Sequence, residues 1–204
     1  MRQRLFAWML ARYGPKLEPH LARHKRRLFH NLTGAILEIG PGAGANLPYF
    51  HARRVHCIGI EPNPFLHDRL RKQAAAAGIE IDLRSGTAES IPAPDNSVDA
   101  VVSTLVLCSV SDPPRVLAEV RRILKPGGTF VFIEHVAARS GTFQRRLQRC
   151  IRPLWRQLGD GCHPDRETAH AIESAGFHHV SMERFVVPLP VVSPHIAGVA
   201  VKAG

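Results

Sequence analysis

The chain has 204 residues, 45% of them apolar and 22% charged, which suits one domain with a full core and excludes a disordered chain. It carries 27 Lys+Arg against 17 Asp+Glu, a formal net charge of +10, and no apolar run approaches the ~18 residues of a membrane-spanning helix. A charge of that sign invites nucleic acid or an anionic membrane as partner, and its distribution decides between them.

Residues 1–31 hold eight basic residues (Arg2, Arg4, Arg12, Lys16, Arg23, Lys25, Arg26 and Arg27) and one acid, Glu18, among apolar Leu5, Phe6, Trp8, Met9 and Leu10. Residues 1–33 read as a basic amphipathic helical segment with two possible uses. It could lie on an anionic membrane with Phe6 and Trp8 in the headgroup boundary, or it could be a flap over a ligand cleft. Its short apolar stretch, with no small-residue cleavage site behind it, predicts no signal peptide.

Residues 34–204 are expected to form one α/β domain. Residues 35–40 (AILEIG) read as a buried strand, GPGAGAN as a turn, and the residues through Tyr49 and Phe50 as the helix that follows. A second strand is predicted at 55–60, a helix at 64–77 ended by Gly78, and a third strand at 79–83. Residues 98–107 (VDAVVSTLVL) read as a buried strand that turns into a loop from Thr104. Asp112-Pro113-Pro114 opens a helix whose Val116, Leu117, Val120, Ile123 and Leu124 recur at helical spacing. Lys125-Pro126-Gly127-Gly128 then turns into a strand at 129–133. Residues 143–158 place Phe143, Leu147, Ile151, Leu154 and Leu158 three and four apart, a second basic helix kinked or restarted at Pro153. With its flanks, 139–163 reads as a basic lid insertion. A helix at 166–175 and strands at 177–186 and 195–201 complete the chain.

Strands alternating with helices predict a doubly wound, mostly parallel sheet, with ligands outside the carboxyl ends of its strands. The charge fits that picture. Residues 139–156 hold six arginines and no acid, so the chain outside the two basic segments carries 13 basic and 16 acidic residues. An acidic body with few aromatics among its arginines makes nucleic acid an unlikely partner. Four cysteines without a CxxC pair fit a reducing cytoplasm. Twelve histidines without an HxxxH or HExxH spacing predict no metal.

The chemistry begins at Glu38-Ile39-Gly40-Pro41-Gly42-Ala43-Gly44. Glycines there make a tight turn and let backbone approach a ligand. Glu61 ends the second strand, where an acid can take both hydroxyls of a ribose. Ala45-Asn46 stands where a dinucleotide fold prefers its third glycine, and Pro41 removes an N–H that a pyrophosphate would use. Gly86-Thr87-Ala88-Glu89-Ser90-Ile91-Pro92 could meet an adenine edge.

Taken with SVDAVVS and LKPGG, these segments resemble the class I S-adenosylmethionine-dependent methyltransferases from about residue 35 to 135. The resemblance implies a Rossmann-like seven-stranded sheet with its last strand antiparallel. It also implies S-adenosylmethionine as cofactor, held by Glu38, Gly40, Gly42, Gly44, Asn46, Glu61, Pro62, Ala88, Glu89 and Thr104. A narrower likeness lies in TLVLCSV at 104–110, EHVA at 134–137, GDGC at 159–162, RET at 166–168 and PHIAGVAVK at 194–202. These segments look like the membrane-associated methyltransferase-like proteins that S-methylate small alkyl thiols. Those animal proteins begin with a long apolar anchor and this chain with a basic amphipathic stretch, so integral membrane attachment is not implied here. Bacterial phospholipid N-methyltransferases share the cofactor motifs, which keeps phosphatidylethanolamine as an alternative acceptor. An RNA or DNA methyltransferase and a non-catalytic cofactor-binding module stand behind it.

Methyl transfer from a sulfonium is an in-line displacement that requires alignment and water exclusion, with no metal and no covalent enzyme intermediate. A free thiol with a pKa of about 8.5 is only a few per cent thiolate at neutral pH, so a nearby base would help. Asp160 and His135 are the candidates, and Leu107, Cys108 and Cys162 the expected acceptor pocket. Each has a plainer alternative: an edge histidine, a turn-forming aspartate before glycine, and a small buried apolar residue.

Overall fold

The computed structural model describes residues 2–204. Seven strands, β1 (Gly34–Ile39), β2 (Val55–Ile60), β3 (Ile81–Arg84), β4 (Val98–Thr104), β5 (Leu124–His135), β6 (His179–Val186) and β7 (Pro194–Val201), lie in the order β3-β2-β1-β4-β5-β7-β6. The pairs among the first five are parallel, and β7 runs antiparallel to both β5 and β6. The reversal is local: β6 and β7 are a hairpin closed by Val187 N–H donating to the Ser193 carbonyl at 2.9 Å. Gly198 lets the two backbones approach, since a Cβ there would stand 2.2 Å from the Ser181 carbonyl oxygen. The expected doubly wound sheet with an antiparallel last strand is therefore present. Its order reverses between β1 and β4, the position where such sheets bind ligands.

Five α-helices cover the sheet: α1 (Arg2–Phe29), α2 (His67–Ala76), α3 (Pro113–Ile123), α4 (Phe143–Leu158) and α5 (Thr168–Glu173). Asp112 and Thr142 start α3 and α4 by accepting N–H bonds from Arg115 and Arg145. On one face Val116, Leu117 and Val120 of α3 pack against Leu37, Val101 and Phe130. On the other, Leu21 and Phe29 of α1 pack against Ile36, Leu47, Phe50 and Val131. Burying a side chain such as Phe29 completely contributes ~1.5–3 kcal/mol relative to exposure.

Three expectations need correction. The helix predicted after the glycine turn is only a 3-10 turn at Leu47–Tyr49, with Pro48 inside it. The layer it would have filled is occupied by α1, whose Leu21 and Phe29 cover Leu47 and Phe50. α4 runs through Pro153 as one 16-residue helix, which, of the two alternatives there, kink or restart, excludes the restart. The helix predicted at 166–175 spans only Thr168–Glu173. Arg166 is excluded from it because its guanidinium donates to the Leu107 and Val110 carbonyls at 2.7 and 2.6 Å. Among the described residues no helix is long and apolar enough to cross a membrane.

Candidate active site

The carboxyl ends of β1, β2, β4 and β5 open into one cavity of about 1250 Å³, roofed by α1. That exceeds the ~300–1,000 Å³ of a typical small-molecule site, leaving room for a cofactor-sized molecule and a small second ligand. Phe6, Leu10, Leu17 and Leu21 of α1 form much of the apolar roof. α1 thus contributes apolar lining to the cleft.

β1 runs into the glycine turn. Gly40 and Gly42 both have φ of +59°, which side-chain-bearing residues rarely adopt, and a Cβ on Gly40 would come within 2.8 Å of Val106. Gly40 and Gly42 line the cavity, but Gly44 does not. Gly44 instead lets α2 approach, because a Cβ there would meet Leu47 at 2.9 Å and Gln73 at 3.0 Å.

Two buried carboxylates flank the turn. Glu61, 6% exposed, accepts N–H bonds from Gly42 at 2.9 Å and Asn63 at 2.8 Å. Burial raises its pKa against the pull of those amides, and the negative charge of nearby Asp160 adds to the rise. Glu38 is more deeply buried. One oxygen accepts from Asn46 Nδ2 at 2.7 Å, and the same nitrogen reaches Thr104 Oγ1 at 2.9 Å. Burial lifts the Glu38 pKa from 4.5 to about 7, against the lowering effects of the Asn46 bond and the Lys25 charge. Glu38 Oε2 and Asn46 Oδ1 are buried acceptors without partners. Two such atoms beside a cavity call for a ligand that brings N–H donors.

Lys25, a residue sequence reasoning missed, stands over this end. It is 1% exposed, yet its Nζ donates to Glu18 at 2.7 Å and to the Ala45 carbonyl at 3.2 Å, fastening α1 to the turn. Pro62, Thr87, Ala88 and Glu89 form another wall. The Glu89 carboxylate is engaged there, accepting from Ser111 N–H at 2.8 Å.

At the far end, β4 stops at Thr104 and Leu105 takes a φ of +59°, turning the chain across the sheet edge. Glu134 fixes that loop, accepting from Ser103 Oγ at 2.6 Å and Val106 N–H at 3.1 Å. β5 ends one residue later at His135. Asp160 and Gly161, at φ of +50° and +94°, fold the GDGC turn so that Cys162 meets His135. His135 Nε2 is 3.0 Å from Cys162 Sγ, and Trp155 Nε1 donates to the same sulfur at 3.3 Å. Cys108, Cys162 and His135 are all buried, with their donor atoms within 4.8 Å of one another.

The three side chains influence one another. Interaction with Cys162 and burial both push the Cys108 thiol well up. Cys162 is held below the usual thiol range by the bond from Cys108 and by Trp155, despite burial. Burial opposes charge on His135, but the neighbouring Cys108 sulfur and Glu134 outweigh it and leave the imidazole above its ordinary value.

Asp160, His135, Cys108 and Cys162 all face the cavity, as do Glu38, Gly40, Gly42, Asn46, Glu61, Pro62, Ala88, Glu89 and Thr104. Leu107 does not; it is fully buried in the core, and only its backbone takes part, its carbonyl holding Arg166 and its N–H reaching Glu134. Trp155 lines the cavity unannounced by sequence, although its position in a basic helix over the cleft was the available signal.

Comparison with known proteins extends this picture. Residues 37–132 match a family model described as a methyltransferase domain. The human thiol S-methyltransferase TMT1B is 39% identical, the match covering 97% of this chain and 86% of that protein. A phosphatidylethanolamine N-methyltransferase of Cereibacter sphaeroides is 33% identical over 53% of this chain and 54% of its own. Among solved structures, a Thermotoga maritima SAM-dependent methyltransferase, titled a possible histamine N-methyltransferase, superposes with a TM-score of 0.68. It is 20% identical and covers 99% of this chain and all of that one, a likeness of fold alone.

Proposed function

The chain belongs to the family of the thiol S-methyltransferases, and from that premise we propose that it transfers a methyl group from S-adenosylmethionine to the sulfur of a small apolar thiol. The observation that carries the proposal is one cavity with two unlike ends. At one end a glycine turn sits between two buried carboxylates, with Glu38 Oε2 and Asn46 Oδ1 unpartnered; at the other, an imidazole and two thiols are buried beneath an apolar roof.

The residues fit the cofactor. Glu38 Oε2 and Asn46 Oδ1 would accept from the ammonium of its methionine end, with Thr104 holding Asn46 in place. Glu61 would take the ribose hydroxyls, and Gly40, Gly42 and Pro62 allow the chain to pass close to them. Ala88 and Glu89 would border the adenine. When bound, S-adenosylmethionine supplies an electrophilic methyl group on a positively charged sulfur.

The chain's own residues then have three tasks. Phe6, Leu10, Leu17 and Leu21 exclude water from the cleft. The 105–111 loop and the GDGC turn, pinned together by His163 N–H on the Cys108 carbonyl at 2.8 Å, position the acceptor. Asp160 and His135 are the titratable groups lining the acceptor end that could take its proton, which a thiol must lose to become a good nucleophile. The 139–163 segment acts as the acceptor-side lid through Trp155.

Two further assignments accompany this reading. A reducing, cytoplasmic setting is supported by four free cysteines. Peripheral contact with an anionic membrane is supported by Trp8 on α1 and Phe143 on α4, 57% and 80% exposed among basic residues.

The test is methyl transfer from labelled S-adenosylmethionine, measured in parallel against alkyl and aryl thiols, phosphatidylethanolamine vesicles and transfer RNA. S-methyl product from the thiols is expected. Blank thiol assays beside a methylated lipid would overturn the acceptor. Asp160→Asn and His135→Gln are each expected to lower turnover about 10²–10⁴-fold while cofactor affinity is retained.

A further inference from the structure

We propose that Cys108, His135 and Cys162 form a binding site for a thiophilic divalent cation, zinc by preference, at the acceptor end of the cleft. Its existence stands on the geometry of the three residues; only its use in catalysis rests on the thiol-acceptor reading.

The three residues come from separate parts of the fold: the loop after β4, the last residue of β5 and the GDGC turn. Nothing in their sequence spacing announces a metal. The fold nevertheless brings two sulfurs and one imidazole nitrogen within 4.8 Å of one another, all three residues buried. Donor atoms around a tetrahedral zinc stand about 3.6–3.8 Å apart, given Zn–S and Zn–N distances near 2.3 and 2.0–2.1 Å. The 3.0 Å contact between His135 Nε2 and Cys162 Sγ is shorter. It would have to open by about half an ångström, a rotamer-scale adjustment.

Charge agrees with the ligand set. Two thiolates neutralise a divalent cation, so the filled site buries no net charge of its own. Trp155 Nε1 donates to Cys162 Sγ, the kind of outer contact that orients a ligand sulfur. Three protein ligands are the pattern of a working site rather than a structural one, because a fourth position stays open. All three residues line the cavity, so the open position faces the place of the acceptor.

With that position available, the acceptor thiol replaces water on the cation, and its proton leaves to the water of the cleft. A sulfur lone pair then forms the bond to the methyl carbon as the carbon–sulfonium bond breaks onto the departing thioether. The methylated product is a neutral thioether and a weaker ligand than a thiolate, which favours release. In this arrangement His135 acts as a ligand, and proton handling falls to Asp160 and solvent.

The experiment uses untagged full-length protein, purified under reductant without chelator. Elemental analysis is expected to find about one zinc per chain, falling below about a tenth in Cys108→Ser and Cys162→Ser and unchanged in Cys150→Ser. Binding of S-adenosylhomocysteine, measured alongside, shows that the variants fold. As a readout independent of any variant, stripped wild-type protein titrated with cobalt(II) is expected to show thiolate-to-cobalt charge-transfer absorption. Background zinc and no such absorption would overturn the site. So would metal content that the two serine substitutions leave untouched. His135→Gln protein that keeps its metal but loses turnover would return His135 to the role of base and overturn the ligand set. Zinc bound at these residues without S-methyl product from any thiol would remove the acceptor reading and leave the site. Full thiol turnover in zinc-stripped protein would do the reverse for its use in catalysis.

Discussion

Glu38 shows how one buried carboxyl links stability to ligand binding. Its pKa rises from 4.5 to about 7 because burial opposes charge more strongly than Asn46 and Lys25 favour it, with Glu61 adding a smaller push in the same direction. A raised acid binds its proton more tightly in the folded state than in the unfolded one. Its contribution is therefore fully present below pH 4.5 and is lost as pH rises to about 7, a change worth ~3 kcal/mol. Urea denaturation of wild type and Glu38→Gln across that window is expected to give curves that diverge in slope, with the steeper loss in wild type. Ligand binding should show the opposite sign. A cationic amino group beside Oε2 needs the carboxylate, so affinity for S-adenosylhomocysteine should climb with pH and level off above about 7. Equal slopes in the two proteins, in both measurements, would show that Glu38 does not titrate in this range.

At the scale of elements, α1 decides whether the cofactor end is a groove or a cavity. It is held by Leu21 and Phe29 in the core, by buried Lys25 on the Ala45 carbonyl and by Glu18, which accepts from both Lys25 and the Tyr49 hydroxyl. Lys25→Met removes the tether to the Ala45 carbonyl and the bond to Glu18 while keeping much of the apolar stem, a loss of about 1–3 kcal/mol if the bonds to a charged group are not replaced; the Tyr49–Glu18 and Asn63–Gln3 contacts of α1 remain. Trypsin is a natural probe, since α1 is rich in arginine and lysine. Cleavage in α1 is expected to be slow in wild type, slower with S-adenosylhomocysteine, and about tenfold faster or more in Lys25→Met. Identical cleavage in all three would mean that α1 does not close the site. This element also shows where sequence reading stops. Helical period and basic charge made α1 legible as a helix, but its partner was not, because Lys25 pairs with Glu18 within α1 and Ala45 across the fold. The helix expected after the glycine turn failed for the complementary reason: α1 had already filled that layer. The alternation of strands and helices and the glycine turn were legible because each is set by local pattern and by the rule for parallel sheets, whereas the antiparallel last strand came with the family resemblance. Leu107 misled because alternation along a strand stops where Leu105 turns the chain. The meeting of Cys108, His135 and Cys162 depends on three chain reversals that no spacing encodes.

For the molecule as a whole, the charge of +10 sits on an otherwise slightly acidic body, concentrated in the segments that became α1 and α4. Both helices border the same cavity, through residues such as Leu10 and Trp155. Both also leave large apolar side chains in solvent: Leu5, Trp8 and Tyr13 on α1, and Phe143, Leu154 and Leu158 on α4. Basic residues beside exposed aromatics on both helices are what support the proposed peripheral contact with an anionic surface. The consequence reaches the chemistry. A cleft whose mouth faces lipid would draw apolar thiols from the membrane, where they partition, rather than from water. Full-length protein is therefore expected to sediment with vesicles containing phosphatidylserine and to remain in solution with phosphatidylcholine alone. Binding should weaken as salt rises, since each surface-facing Lys or Arg contributes about 1 kcal/mol at low screening. Trp8→Ala with Phe143→Ala should weaken binding further at every salt concentration, because it removes the apolar part that screening leaves intact. The same double variant should keep its turnover with a water-soluble thiol and lose rate only with long-chain thiols presented in vesicles. Vesicle binding that ignores both salt and these two aromatics would assign the basic helices to the cleft alone.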